Sequence, residues 1–337
     1  MKERHQPFHS TMDDLYNRHI NYLRISVTDR CNLRCVYCRP SGRIAKLSHD
    51  DILRYEEILR IIHIMAEMGL VKIRITGGEP LVRKGLVPFL QKITAVSGIQ
   101  DVSLTTNAVL LSNYVQDIYN TGIRRLNISL DSLHRSTYKA ITGSDSFNRV
   151  WAGIQDALSA GFDPIKINFV ALRGINDHEI ETFARLSYTY PFHVRFIEQM
   201  PIGDTAFRVE DPLLSDEIKY ILESSVGKLI PVENGILDGP AKRYKFGGFK
   251  GEIGIISPIS HHFCETCNRL RLTSNGLLRP CLLSDYSEDL KTPLRSGCSD
   301  DHLARIIIKA IKNKPAKHAL VSETPAEVIS PMSSIGG

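Results

Sequence analysis

The chain has 337 residues, 42% hydrophobic and 23% charged, an ordinary balance for a soluble globular protein and enough length for one large (β/α) domain with a smaller appendage. No apolar run approaches the roughly eighteen residues of a membrane span, and the polar start MKERHQPFHSTMDDLYNRH lacks an apolar h-region, so the expectation is a cytoplasmic protein with neither membrane segment nor secretory signal. A formal net charge of +5 suits an anionic small molecule as well as nucleic acid and decides neither.

Taken in chain order, short β-branched runs alternate with longer stretches of helical period. Strands are expected at Leu23–Val27, Val71–Ile75, Val102–Thr105, Leu126–Leu130, Ile165–Val170 and His193–Ile197. Helical patterns fall between them at Asp50–Met68, Ser112–Thr121, Val150–Ala160 and Asp177–Thr189. Six strand–helix units imply an α/β protein with a parallel sheet curled as a full or partial barrel, whose functional residues sit just past the strand C-termini. After Met200 the pattern loosens, and Pro and Gly recur through 231–251. The expected division is an N-terminal extension over 1–20, a barrel over 21–235 and a small, irregular C-terminal region over 236–337.

Seven cysteines in a chain without export signals read as reduced, metal-binding thiols rather than disulfides. Cys31, Cys35 and Cys38 have the spacing C-x3-C-x2-C after the first strand. Three thiolates can hold three irons of a [4Fe–4S] cluster and leave the fourth open. A zinc site completed by a distant His is the rival reading of the spacing alone. Cys264, Cys267 and Cys281 again make a set of three, and His261, His262 or Cys298 could complete a zinc ribbon there. The intervening Asn268-Arg269-Leu270-Arg271 puts two cations beside the metal, suited to a phosphate-bearing ligand. Arg24 and Arg74 fall inside strand-like runs, where an ordinary surface arginine is not expected. Lys72 and Arg195 are similar but carry no assignment, and Cys298 reads as a structural cysteine.

The first cysteine set, with Tyr37 before its last member, resembles the motif of the radical S-adenosylmethionine (SAM) superfamily, as does Ile75-Thr76-Gly77-Gly78-Glu79-Pro80. Across nearly the whole chain SVTDRCNLRCVYC, RITGGEPL, NISLDSL, RFIEQMP, the CNRLR segment and a terminal Gly-Gly resemble one family within it, the GTP 3′,8-cyclases of molybdenum cofactor biosynthesis. The resemblance implies an incomplete (β/α)6 barrel with a cluster-binding C-terminal region, two [4Fe–4S] clusters and SAM. It implies cluster ligation by Cys31, Cys35 and Cys38 and by Cys264, Cys267 and Cys281. Tyr37, Gly78, Ser129 and Met200 would line the SAM site. Arg24, Arg74, Thr105, Lys166, Arg269 and Arg271 would hold GTP, and the tail Gly336-Gly337 would enter the active site and matter for turnover.

The implied reaction abstracts hydrogen from ribose C3′ of GTP and joins C3′ to C8 of guanine. A cyclic pyranopterin monophosphate synthase would act next, an unidentified donor would supply electrons, and a homodimer is compatible with the pattern. Neither nucleic acid nor membrane is an expected partner. Two rivals stay open at this point: a zinc-dependent nucleic-acid module, and a maturase that uses an auxiliary cluster for peptide modification. One departure concerns Ala108, which stands where the family usually has glycine in Thr-Thr-Asn-Gly, a turn where positive φ would strain alanine.

Overall fold

A computed structural model describes residues 12–38, 46–203, 211–235 and 238–318, together with 328, 330 and 332–335. The expected strands form, with bounds shifted by at most one residue: β1 (Tyr22–Ser26), β2 (Lys72–Thr76), β3 (Asp101–Thr106), β4 (Arg125–Ser129), β5 (Ile165–Ala171) and β6 (His193–Glu198). The helices are α1 (Tyr55–Glu67), α2 (Leu86–Thr94), α3 (Val115–Asn120), α4 (Arg135–Thr142), α5 (Phe147–Ser159), α6 (Ile180–Thr189), α7 (Ser215–Ser225), α8 (Lys291–Arg295), α9 (Asp300–Lys312) and α10 (Met332–Ile335).

The region beyond Met200 is more regular than expected. It contributes β7 (Ile230–Val232), β8 (Lys242–Lys245), β9 (Glu252–Ile256), β10 (Arg269–Leu272), β11 (Leu277–Arg279) and β12 (Glu288–Asp289) to the same sheet. The order is β12-β11-β10-β1-β2-β3-β4-β5-β6-β9-β8-β7. From β10 through β9 every pairing is parallel, and the outer strands at both edges pair antiparallel. No pairing joins the two ends among the described residues, so the sheet is an open, incomplete barrel.

Period-two alternation divides the strands between two environments. Leu23, Ile25, Ile73, Ile75, Leu104, Leu126, Ile128, Ile167 and Phe196 are fully buried in the apolar layer. Helix α1 meets that layer through Ile58, Ile61, Ile62 and Met65. Each such side chain contributes roughly 1.5–3 kcal/mol on leaving water. Strand residues of the opposite parity carry the polar groups: Arg24, Arg74, Thr105, Ser129, Asn168, Arg195 and Arg271 all border one internal cavity. The C-terminal region is tied to the barrel where Arg295 of α8 donates to Glu57 of α1 at 2.9 Å.

Candidate active site

The cavity has a volume of about 300 Å3 and opens among the C-terminal ends of the parallel strands. Both cysteine sets lie on its wall: Cys31, Cys35 and Cys38 from the loop after β1, and Cys264, Cys267 and Cys281 from the segments around β10 and β11. All six are half-buried, and none is in a disulfide among the described residues.

The first loop is held from three sides. Arg34 and Val36 donate their backbone N–H groups to Thr142 and Ile141 at the end of α4, at 2.8 and 3.0 Å. The Tyr37 hydroxyl donates to Asp131 at 2.6 Å. Gly78 donates to the Thr28 carbonyl at 2.6 Å and Glu79 to the Arg30 carbonyl at 2.8 Å. Glycine is required for this approach, because a Cβ on Gly78 would lie 2.4 Å from the Arg30 oxygen and one on Gly77 2.8 Å from the Thr28 oxygen. The glycine pair and the cysteine loop therefore form one packed unit.

Burial pushes the Cys35 thiol well above its ordinary range, and Asp131, Cys38 and Cys31 add to the shift. Thiolates crowded in this way need positive charge among them, which fits a metal centre. Among the described residues the one grouping of metal-ligating atoms within 4.8 Å of one another is His134, His178 and Glu179, outside the cavity.

The family-like stretch around β3 carries the structural consequence of its one departure. Ala108 has φ +59°, the left-handed conformation anticipated for that turn, and its methyl is fully buried. Thr106 caps the turn by accepting from the Ala108 N–H at 3.0 Å. Glu79 accepts from the Thr106 hydroxyl and the Asn107 N–H, each at 2.7 Å, and from Leu81 at 3.1 Å. Burial nevertheless lifts its carboxyl to about 7 against those donors. Asp131 is raised by burial to about 6, against the bonds from Tyr37 and Val170.

Below the cysteines the wall is cationic. Arg24 on β1 stands in register with Arg74 on β2 and with Arg271 on β10. Burial, then Arg271 and Arg74, hold the Arg24 guanidinium well below its ordinary range. Arg271 falls to about 9 through burial and then Arg269, and Arg195 to about 9 through burial and then Arg74. Arg269 lies 4.9 Å from the centre of the Phe263 ring. Among the described residues the buried Arg74 Nε, Thr105 hydroxyl and Asn168 side-chain carbonyl oxygen have no hydrogen-bond partner. Buried cations and orphaned polar atoms around one space describe a seat for a polyanion.

Of the expected contact residues, Tyr37, Gly78, Ser129, Met200, Arg24, Arg74, Thr105, Arg269 and Arg271 all line the cavity. Lys166 does not: it is buried on β5, below Asn168, and burial with Arg195 and Arg74 lowers its ammonium to about 6. Gly336 and Gly337 lie outside the described residues, although Met332, at the start of α10, borders the cavity. Lys72 is engaged in a buried ion pair with Asp101 at 2.9 Å. Cys298 lies away from the cavity, its carbonyl accepting from Arg60 at 2.5 Å.

Sequence reasoning passed over Glu79, Asp131 and Asn168, and it left Arg195 unassigned. The signal for Glu79 was its place in GGEP, and for the others a polar residue of inward parity near a strand end. His262 and His318 also border the cavity beside Cys264, ring centres 5.7 Å apart. Cys267 is pushed up by burial and down further by Arg269 and Lys314, to about 6.

Comparison with known proteins agrees with this geometry. Residues 25–187 match the radical SAM superfamily, and residues 192–320 match the Molybdenum Cofactor Synthesis C family. The chain is 48% identical over 327 residues to a GTP 3′,8-cyclase of Thermodesulfovibrio yellowstonii, covering 97% of this chain and 100% of that one. It is 50% identical over 327 residues, with the same coverage, to a GTP 3′,8-cyclase of Desulforamulus reducens. Among solved structures, Streptococcus suis SuiB bound to precursor peptide SuiA superposes with a TM-score of 0.62 at 15% identity, over 94% of this chain and 77% of that one. The enzyme anSMEcpe with bound AdoMet gives 0.54 at 15% identity, over 83% and 81%. At these identities the structures show the shared fold.

Proposed function

The chain belongs to the GTP 3′,8-cyclase family of radical SAM enzymes, and from that premise we propose that it converts GTP to 3′,8-cyclo-7,8-dihydro-GTP, the first step of molybdenum cofactor biosynthesis. The observation that carries this reading is a single cavity with two sets of three cysteines on its wall and a row of registered arginines below them.

When bound, a [4Fe–4S] cluster and SAM would supply the radical chemistry needed to remove the ribose 3′-hydrogen. Cys31, Cys35 and Cys38 would hold that cluster. Tyr37, Gly78, Ser129 and Met200 would border SAM, with Asp131 fixing the Tyr37 hydroxyl. Cys264, Cys267 and Cys281 would hold a second [4Fe–4S] cluster, which would supply a binding place for the guanine base. Arg24, Arg74, Arg269 and Arg271 would neutralise the triphosphate, and Thr105 would donate its free hydroxyl to the nucleotide. Lys166, buried beneath this layer with its ammonium lowered to about 6, would take up its proton when the polyanion binds and so contribute to holding GTP. Enclosure by the apolar barrel wall excludes water, and fixed geometry brings the reacting carbons together.

The same reading takes residues 21–235 as the barrel unit and 236–337 as the cluster-binding unit. The Gly336-Gly337 tail would reach the cavity from α10. The product would pass to a cyclic pyranopterin monophosphate synthase in the cytoplasm, electrons would come from an unidentified donor, and the chain would work alone or as a homodimer. Among the described residues no helix is long and apolar enough to cross a membrane.

The test is made on protein purified without oxygen. About eight irons per chain and conversion of GTP to the cyclised product, with SAM and a reductant, support the reading. Zinc in place of iron at Cys264, Cys267 and Cys281 would return that set to a structural role.

A further inference from the structure

Two buried cations stand behind the second cysteine set, and neither faces the cavity. Lys314 follows α9 and is 3% exposed. Its ammonium donates to the Arg269 carbonyl at 2.8 Å and to the Pro280 carbonyl at 2.6 Å. Those carbonyls lie two residues after Cys267 and one residue before Cys281. Arg18, 6% exposed, donates through Nη1 to the Cys264 carbonyl at 2.7 Å and through Nη2 to the Pro315 carbonyl at 2.8 Å. Its Nε pairs with buried Asp14 at 2.5 Å.

The three cysteine-bearing segments are thus pinned by two side chains that come from opposite ends of the chain. Arg18 is balanced by a carboxylate. Lys314 is not: among the described residues it forms no ion pair, and a lone buried ammonium is costly unless negative charge lies near. Three thiolates around a four-iron core carry a net negative charge and would supply it.

We propose that Lys314 is a positioning and charge-balancing residue for a cluster held by Cys264, Cys267 and Cys281, with Arg18 fixing the third segment. This rests on the cluster reading given above. Lys314 then does two separable things. It fixes the spacing between the Cys267 and Cys281 segments, together with the backbone of Arg269, and it favours the reduced cluster, which carries one more negative charge.

The experiment uses the full chain with Cys31, Cys35 and Cys38 all replaced by Ala, so that only the second site can hold iron. Iron content, midpoint potential and the rate of iron release to a chelator are measured in this background and with Lys314→Gln, Lys314→Met and Lys314→Arg. About four irons are expected in the background. Lys314→Gln, which keeps hydrogen-bond donors and loses the charge, should lower the potential. Lys314→Met should in addition release iron at least fivefold faster. Lys314→Arg should restore both. The paired change Asp14→Asn with Arg18→Met, which strands no buried charge, should speed release with a smaller effect on potential.

Thermal unfolding of the same proteins with intact first-site cysteines controls for folding. Potential and release rates unchanged in both Lys314→Gln and Lys314→Met would overturn the inference while leaving the cluster reading standing. No iron in the background itself would overturn the cluster reading, and the inference with it.

Discussion

Arg24 and Arg74 occupy matched positions on adjacent parallel strands, so two guanidinium-bearing side chains rise side by side from the floor of one cavity. In an empty protein that arrangement is unfavourable, since like charges out of water raise each other's cost. It makes sense as a preorganised receptor, in which the polyanion supplies what the fold withholds. Arg74→Gln should therefore raise the melting temperature without nucleotide. It should weaken GTP binding at least tenfold, about 1.4 kcal/mol, and leave SAM affinity unchanged. Thermal shift with and without GTP reads both effects, and equal GTP-induced shifts in wild type and variant would contradict the assignment.

Gly78 tests the link between the glycine stretch and the cysteine loop. In Gly78→Ala the new methyl meets the Arg30 carbonyl and must displace backbone. We expect loss of most iron at the first site and of SAM cleavage. Gly247→Ala, where an added Cβ meets nothing within 4 Å, should leave both unchanged. Iron retained in Gly78→Ala would mean that the two segments are not one unit.

Ala108 is a case of opposing small terms. Its left-handed backbone favours glycine by about 1 kcal/mol or more. Glycine would lose a buried methyl, about 0.8 kcal/mol, and would cost backbone entropy, about 0.4–1 kcal/mol. Ala108→Gly should accordingly change stability by less than about 1 kcal/mol in either direction. Ala108→Val combines β-branching at positive φ with overpacking and should cost more than about 2 kcal/mol. Denaturant unfolding of the two variants decides this.

Glu79 predicts a pH dependence. Its folded carboxyl is raised to about 7 from an ordinary 4.5, so the folded protein binds the extra proton between those values. Its contribution is fully present below about 4.5 and declines as pH rises through 7, by on the order of 3 kcal/mol. Asp131, raised to about 6, adds a decline of the same sign at lower pH. Glu79→Gln should flatten the stability profile between pH 5 and 8. An unaltered slope would show that Glu79 is already ionised in the fold.

The six barrel strands were legible because their apolar parity faces helices, which leaves β-branched runs at regular intervals. Arg24 and Arg74 were legible for the same reason, as charges where only inward parity could accommodate them. Strands β9 and β10 were hidden: one contains Gly254 and the other two arginines, and their partners are distant β6 and β1. Pairing so remote in sequence leaves no local pattern. Lys166 came only from the resemblance, and nothing in its neighbours told that it is absent from the cavity lining. Lys314 left no trace, since its partners are carbonyls, and Arg18 likewise reaches the cysteine segment through a carbonyl.

The central claim is that this cavity brings the ribose C3′ of GTP to the radical generated from SAM. The direct measurement is the fate of deuterium from GTP labelled at C3′, in an anaerobic reaction with reductant. We expect deuterium in 5′-deoxyadenosine and a cyclised product that has lost it. Unlabelled 5′-deoxyadenosine accompanied by unchanged GTP would contradict the account.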